Sequence, residues 1–213
     1  MEFAKLYFYF EVIGTIAFAI SGTVVGIYKK MDIFGNWVLA IITSVGGGIL
    51  RDLLLGITPP TSIRYPFSIL IASVTAFVFM FLFKYRKKMY KLRYRPFYKK
   101  MLIITDSIGL GIFTVVGINV AVMRGHVQNT FLLVLVGVLT GVGGGVMRDV
   151  MAGSIPGIFT RNIYAVSSIA GALIYIYSKN LLSYNYRILL GAVSIFLIRI
   201  ISEKYNLHLP KVR

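Results

Sequence analysis

The sequence predicts an all-α integral membrane protein with seven transmembrane helices, arranged as two inverted three-helix repeats followed by a seventh helix. Of its 213 residues, 57% are hydrophobic and only 14% are charged, whereas about a quarter of the residues in a soluble domain are charged. Apolar segments of about twenty residues, long enough to cross a ~30 Å hydrocarbon core, follow one another almost end to end. A glycine-rich motif also occurs twice. Because the apolar runs are continuous rather than alternating, helices are favoured over a β-barrel.

The whole chain, residues 1–213, is predicted to form a single membrane domain. Its first repeat covers residues 6–83 and its second repeat covers residues 101–178, with a basic loop at 84–100 between them. An additional helix at 181–201 lies outside the duplication. The predicted spans in chain order are 6–28, 33–56, 65–83, 101–123, 130–153, 158–178 and 181–201.

The distribution of positive charge predicts the orientation of the chain in the membrane. The net charge is +16, and nine lysines and arginines lie in or beside the basic loop. Lysine and arginine collect on the cytoplasmic side of membrane proteins, so we expect a multi-pass cell-membrane protein with its N-terminus outside and its C-terminus in the cytoplasm. The nine cations are Lys84, Arg86, Lys87, Lys88, Lys91, Arg93, Arg95, Lys99 and Lys100, and Lys29, Lys30, Arg161, Lys204, Lys211 and Arg213 are expected on the same side.

The basic loop also predicts a partner. Its cations alternate with aromatic residues such as Tyr85, Tyr94 and Phe97, a mixture that occurs in nucleic-acid-binding proteins. In a membrane protein, however, a basic segment beside a span is typical of binding to anionic lipid. We therefore expect anionic lipid at residues 84–100 and no nucleic acid.

An internal repeat is the strongest pattern in the sequence. The segment GGGILRDLLLG at 46–56 returns as GGGVMRDVMAG at 143–153 (143 − 46 = 97). Upstream, Glu11 and Phe18 are matched by Asp106 and Phe113 (106 − 11 = 95), together with two glycines at equivalent positions. Three spans per repeat is an odd number, so the second copy enters the membrane from the opposite side. Such inverted repeats recur in transport proteins, with the site between the halves near the midplane.

The glycine triplets are predicted to bend the second and fifth spans. Each glycine costs about 1 kcal/mol relative to alanine in a helix, so three in succession favour a kink whose carbonyl groups face a hydrated path. The alternative is close packing of helices through small residues, for which the spacing of Gly137, Gly141 and Gly145 is suited. The candidate kink or path-lining residues are Gly46, Gly47, Gly48, Gly143, Gly144 and Gly145.

Two Arg-Asp pairs follow the triplets. A charged residue at the centre of a span costs about 2.5–3.5 kcal/mol on insertion scales, so such residues normally face the bundle interior and have partners. Because sequence neighbours do not face each other on a helix, we expect pairing across the repeats, Arg51 with Asp149 and Arg148 with Asp52. The alternative is that these charges lie near helix ends and reach water.

Glu11 and Asp106 are the other acidic residues inside predicted spans. They lie in the first turns of their spans, so they are either solvated helix starts or the mouths of a cation path. The chain contains no cysteine and two histidines, which argues against a histidine or cysteine metal site. It also lacks the phosphate-binding loop, the zinc-protease motif and the nucleophile elbow, so an enzyme is not expected.

The doubled Gly-Gly-Gly-x-x-Arg-Asp motif, once in each three-span repeat, resembles the prokaryotic trimeric intracellular cation (TRIC) channel family. The resemblance covers residues 10–201. It implies a homotrimer with one pore inside each protomer, permeable to monovalent cations and chiefly to potassium. It also implies kinks at the glycine triplets of helices two and five, and it gives Arg51, Asp52, Arg148 and Asp149 as the charges associated with the pore.

Two alternative functions stay open at this point. Some bacterial members of the family that this chain resembles carry a glycine-transporter domain label. A secondary transporter of a small solute such as glycine would use the same inverted-repeat architecture. A non-conducting lipid-binding or scaffold protein is the third class. A hydrated path through each protomer would argue against that third class.

Overall fold

A computed structural model describes residues 2–85, 95–160 and 163–207, and all regular secondary structure in these ranges is helical. This confirms the predicted all-α class. Within these ranges, six helices are long and apolar enough to cross a membrane, as expected of a multi-pass membrane protein. They are α1 (Glu2–Tyr28), α2 (Ile33–Leu54), α4 (Phe67–Tyr85), α5 (Arg95–Met123), α6 (Thr130–Met151) and α9 (Tyr184–Lys204); the shorter helices are α3 (Thr61–Arg64), α7 (Gly157–Thr160) and α8 (Tyr164–Tyr177), with a 3₁₀ turn at Ser178–Asn180.

The predicted sixth span, 158–178, differs from the structure. It forms the single-turn α7 and the 14-residue α8, and fourteen residues rise only about 21 Å. The backbone turns at Ile163, which precedes α8 with a positive φ of 43°. The basic loop also differs from its prediction, because α5 begins at Arg95 and residues 95–100 are helical.

Several cations used to predict the orientation lie outside the described residues. The basic residues that are described at the end of α4 and the start of α5 include Lys84, Lys99 and Lys100, which are exposed. Lys99 forms an ion pair of 2.5 Å with Glu203 of α9. The predicted cations outside the described ranges are Arg86, Lys87, Lys88, Lys91, Arg93, Arg161, Lys211 and Arg213.

Matching sequence signals begin and end α2 and α6. Asp32 and Asn129 accept hydrogen bonds from the backbone N–H three residues ahead, at 2.7 and 3.0 Å, and so cap the two N-termini. Gly56 and Gly153 follow the C-termini with φ of 68° and 62°, and the N–H of the next residue bonds to the carbonyl of Asp52 or Asp149. This is the Schellman arrangement, for which glycine is favoured because it adopts positive φ without strain. The last glycine of the doubled motif is therefore a helix stop.

The two repeats pack against each other through reciprocal contacts. A side chain added at Gly47 of α2 would meet the carbonyl oxygen of Thr140 in α6, and one added at Gly144 would meet the carbonyl oxygen of Thr43. Later residues of α2 thus meet earlier residues of α6, so the two helices run antiparallel. In the same way Gly14 of α1 lies against Phe113 of α5, and Gly109 lies against Phe18. The Phe18 and Phe113 rings meet 5.2 Å apart.

Helix α9 completes the bundle on one side. It packs on α5 and α8, where Ile195 fills the space above Gly171 and the backbone of Ala192 lies against Gly111. Opposite it, α4 packs on α1 and α2 and turns large apolar side chains such as Val74 and Phe77 outward. Apolar outer faces surround an interior that holds several charged side chains, which is the reverse of a soluble protein and suits a lipid environment.

Candidate functional site

The charged motif residues are buried inside the bundle. Arg51 and Arg148 are 8% and 1% exposed, and Asp52 and Asp149 are 0% and 5% exposed. All four lie in the last turns of α2 and α6, where a cation also interacts favourably with the helix dipole. Thus the charges do lie near helix ends, as the alternative interpretation supposed, but they do not reach bulk solvent.

Each arginine pairs with the aspartate next to it, so the prediction of pairing across the repeats is wrong. Arg51 Nε donates to Asp52 Oδ1 at 2.8 Å, and Arg51 Nη2 lies 2.8 Å from the same oxygen. Arg148 repeats this geometry with Asp149 Oδ1 at 2.9 and 2.8 Å. An arginine is long enough to fold back along its own helix and present two donors to the neighbouring carboxylate.

The second oxygen of each aspartate explains why this local pairing is favoured. Asp52 Oδ2 accepts from the backbone N–H of Thr61, the first residue of α3, at 2.7 Å. Asp149 Oδ2 accepts from the N–H of Gly157, the first residue of α7, at 2.9 Å. The carboxylate therefore satisfies a helix N-terminus with one oxygen and holds the arginine with the other. The motif fixes the position of a buried guanidinium in both repeats.

The two guanidinium groups have different further partners. Arg148 Nη1 donates to Asp106 Oδ1 at 2.7 Å and to Ser21 Oγ at 2.5 Å, which joins α6 to α5 and α1. For Arg51 of the first repeat, the residue equivalent to Ser21 is Val116 of the second repeat, whose side chain has no oxygen. Glu11, the equivalent of Asp106, accepts instead from Ser68 Oγ at 3.1 Å. The equivalent polar side chains of the two repeats therefore have different partners.

A small polar cavity lies beside Arg51 in the first repeat. Its volume is about 30 Å³, which is enough for one or two water molecules. It is lined by Glu11, Thr15, Ser44, Gly48 and Arg51, among others. The site therefore holds a pocket with room for water next to an acidic side chain.

The equivalent region of the second repeat is filled by side chains. A Cβ built at Gly145 would lie 3.1 Å from the Tyr164 hydroxyl, 3.4 Å from Asp106 Oδ1 and 3.6 Å from Arg148 Nη2. Gly145 therefore faces this polar cluster, as Gly48 faces the cavity of the first repeat. The first repeat thus has a small cavity at this position, whereas polar side chains lie close to Gly145 in the second repeat.

The glycine triplets have two separate roles in packing. Gly46 and Gly47 face α6, and Gly143 and Gly144 face α2, at distances that leave no room for a side chain. The third glycine of each triplet, Gly48 or Gly145, faces the polar interior instead. Helical structure continues without a break through both triplets, and the kink at each triplet stays a prediction. Close approach of two antiparallel helices is the observed consequence.

Sequence analysis missed Arg199 of α9. This arginine is completely buried, and its guanidinium lies 4.6 Å from the ring of Tyr164, within cation–π range. The available signal was a single arginine in the middle of the apolar run 188–202. It was overlooked because α9 lies outside the repeat and has no matching copy. In the described part of the chain, three arginines and three aspartates are buried, so the interior charges balance.

The chain is similar to known membrane proteins over nearly its whole length. A family model described as glycine transporter matches residues 8–84 and residues 103–180, which are close to the two repeats. The UPF0126 inner membrane protein YadS of Escherichia coli (strain K12) is 34% identical over 210 residues, which make up 96% of this chain and 95% of that protein.

Solved structures of channels are also similar. A prokaryotic TRIC channel crystallised in 0.5 M KCl is 32% identical, with a TM-score of 0.85 over 97% of this chain and 100% of that chain. The TRIC trimeric intracellular cation channel orthologue from Rhodobacter sphaeroides is 28% identical, with a TM-score of 0.82 over 94% of this chain and 98% of that chain.

Proposed function

This chain belongs to the prokaryotic trimeric intracellular cation (TRIC) channel family, and from that membership we propose that it conducts monovalent cations, chiefly potassium, through a pore in each protomer. The observation that carries the proposal is the polar interior between the two repeats. Buried arginines and aspartates lie there, and a cavity beside Glu11 has room for water. An apolar scaffold would not need such an interior, because charged groups away from water are costly.

The proposed path runs along α2 and α6, whose third triplet glycines border the polar interior. The cavity at Glu11 and Arg51 forms one vestibule. Arg148, held by Asp106 and Ser21, closes the other half. Pairing of each arginine with its neighbouring aspartate supports this path, because a neutralised guanidinium repels a passing cation much less than a free one.

We further propose that the two repeats are inverted and that the N-terminus lies outside. The antiparallel contacts of α1 with α5 and of α2 with α6 support the inversion, because a two-fold axis across membrane-spanning helices lies in the membrane plane. The orientation rests on the basic residues between α4 and α5.

A homotrimer is the proposed assembly. An apolar groove of about 400 Å³ runs along the outer faces of α2 and α6 and is lined by Ile42, Val45, Ile49 and Val146, among others. Its walls carry no charge, so a neighbouring protomer can cover it without desolvating charged groups.

Anionic lipid is the proposed partner of the basic end. An apolar groove of about 790 Å³ separates the start of α2 from the end of α4, and Lys30 and Lys84 lie among the residues that line it. Acyl chains fit the apolar wall while a negative headgroup meets the lysines.

Secondary transport of a small solute such as glycine is the second candidate. The description of the matching family model favours it, and inverted repeats suit both functions. Counterflow of labelled glycine in proteoliposomes, without single-channel current, would distinguish the transporter.

Reconstitution in a planar bilayer with a potassium chloride gradient tests the channel. We expect discrete current steps that reverse near the potassium equilibrium potential, because the acidic side chain at the vestibule attracts cations. Empty bilayers treated with the same detergent are the control. Reversal near the chloride potential, or no current at any voltage, would contradict the proposal.

Glu11→Gln is expected to lower potassium conductance while leaving folding intact. An acidic group in a low-dielectric mouth concentrates cations, so its loss should reduce the current roughly two- to tenfold at low salt. The reduction should shrink at high salt, where the field is screened. Glu203→Gln removes one acidic charge at the surface pair with Lys99 and serves as the matched control. Equal currents in both variants would place Glu11 outside the path.

A further inference from the structure

A second cavity lies away from the interior between the repeats, and its mostly apolar lining includes several polar side chains. Its volume is about 120 Å³, and it is formed by the later part of α5, the end of α8 and the start of α9. We call it the α8–α9 pocket, and its polar lining residues are Asn119, Tyr175, Lys179, Tyr184 and Arg187. Nothing in the proposed conduction path uses it.

Arg187 carries the unsatisfied donor of this pocket. Its guanidinium stacks on the ring of Tyr175, with Cζ 4.8 Å from the ring centroid. Its Nε is buried and has no hydrogen-bond partner among the described residues. The other polar groups there are occupied, since Tyr175 Oη donates to Asn119 Oδ1 at 2.6 Å and Asn119 Nδ2 donates to the Val115 carbonyl at 3.0 Å. A buried donor without an acceptor is costly, so an acceptor is expected.

The charge around the α8–α9 pocket has one sign. Lys179 lines the pocket beside Arg187, and the sequence has no aspartate or glutamate between Asp106 and Asp149 or between Asp149 and Glu203. The segments that form the walls therefore contribute no carboxylate. The positive end of the α9 dipole also lies here, and its N-cap residue Ser183 makes no side-chain cap hydrogen bond. Two cations that line one pocket, with no carboxylate among its lining residues, favour a bound anion.

We propose that the α8–α9 pocket binds the phosphate group of an anionic ligand, either a phospholipid headgroup or free phosphate. A guanidinium and an ammonium supply several donors to one tetrahedral anion, and arginine is suited to phosphate. The side chains of Tyr177, Leu181 and Tyr186, near in sequence to the lining residues, are exposed, and tyrosines are enriched at the membrane–water interface. A phospholipid headgroup is therefore within reach of the pocket.

Native mass spectrometry of the purified protein tests the proposal with two probes, phosphatidylglycerol and inorganic phosphate. Wild-type protein is expected to retain phosphatidylglycerol, and Arg187→Gln to weaken that binding roughly tenfold, because charge-assisted hydrogen bonds are lost. Lys179→Gln changes an exposed side chain that does not support the fold, and it should weaken binding by roughly threefold. Arg124→Gln removes an exposed arginine from the same end of α5 and is the matched control, with binding unchanged.

The two probes separate the sources of the phosphate group. The second measurement is the unfolding temperature of the protein with and without inorganic phosphate. If the protein retains phosphatidylglycerol but inorganic phosphate does not raise its unfolding temperature, the pocket is a lipid site. A thermal shift from inorganic phosphate that is lost in Arg187→Gln identifies a site for the free anion. If Arg187→Gln fails to fold, Lys179→Gln and Arg124→Gln still decide the question. Equal binding of both probes by wild type, Lys179→Gln and Arg124→Gln would overturn the proposal.

Discussion

Alanine at Gly47 is expected to destabilise the folded protein by about 3 kcal/mol, the upper part of the range for overpacking a well-packed interior. The added methyl group would meet the carbonyl oxygen of Thr140, and backbone cannot rotate away as a flexible side chain can. Gly144→Ala should have the same effect, because its methyl group would meet the carbonyl of Thr43. The measurement is the thermal unfolding of each variant in detergent, with the fraction of protein that stays monodisperse after heating as the readout.

Gly48 provides a control in the same triplet. Its nearest neighbour to an added Cβ is Arg51 Nη2 at 3.7 Å, an ordinary contact distance. Gly48→Ala should therefore be tolerated, and its better helix propensity stabilises by up to about 1 kcal/mol. If Gly47→Ala and Gly48→Ala unfold at the same temperature, close packing of α2 on α6 is not the reason for the triplets. Helix flexibility would then be the stronger explanation.

Asparagine at Asp106 is expected to cost about 3 kcal/mol of stability. Removing one partner of a buried ion pair costs about 3–5 kcal/mol because the other charge stays buried. Asp149 still faces Arg148 in this variant, so the lower end of the range applies. The same variant in bilayers should spend more time conducting, since the contact of Arg148 with Asp106 closes the second half of the path in our proposal.

Glu11→Gln is the variant of the first repeat that corresponds to Asp106→Asn in the second repeat. Glu11 occupies the position equivalent to Asp106 but accepts a hydrogen bond from Ser68 across a partly buried site. We expect a change below about 1 kcal/mol, because an amide can still accept that bond. Measuring the unfolding of Asp106→Asn and Glu11→Gln side by side shows whether the loss of stability is specific to Asp106. Equal stability losses in the two variants would contradict the asymmetry between the repeats.

Much of the architecture could be predicted from the sequence because its signals are local. The length of an apolar run reports whether a helix can cross a bilayer, and five of the seven predicted spans agree closely with α1, α2, α4, α6 and α9. The α5 helix has the predicted end but begins at Arg95, and only the sixth span is split, at Ile163. The sequence similarity of the two repeats was also visible in the doubled glycine-rich motif, whereas the matching caps at Asp32 and Asn129 were found only in the structure.

Side-chain partners could not be predicted in the same way. The sequence presented Arg51 and Arg148 as equivalent, yet only Arg148 reaches an acid on another helix. This difference depends on Ser21 of α1 lying beside Arg148, whereas its equivalent Val116 has no oxygen. Likewise, Asp52 and Asp149 bind their neighbouring arginines because α3 and α7 return a backbone N–H to each carboxylate.

The sequence by itself determined that this is a helical membrane protein with a duplicated unit, since hydrophobic length and glycine stops act within a single segment. Only the tertiary structure decided which glycines touch the opposite helix, which carboxylate neutralises each arginine, and that Arg199 joins them in the interior. Those outcomes depend on distances between segments far apart in the chain. A buried charge takes whichever partner the packed helices bring within hydrogen-bonding range.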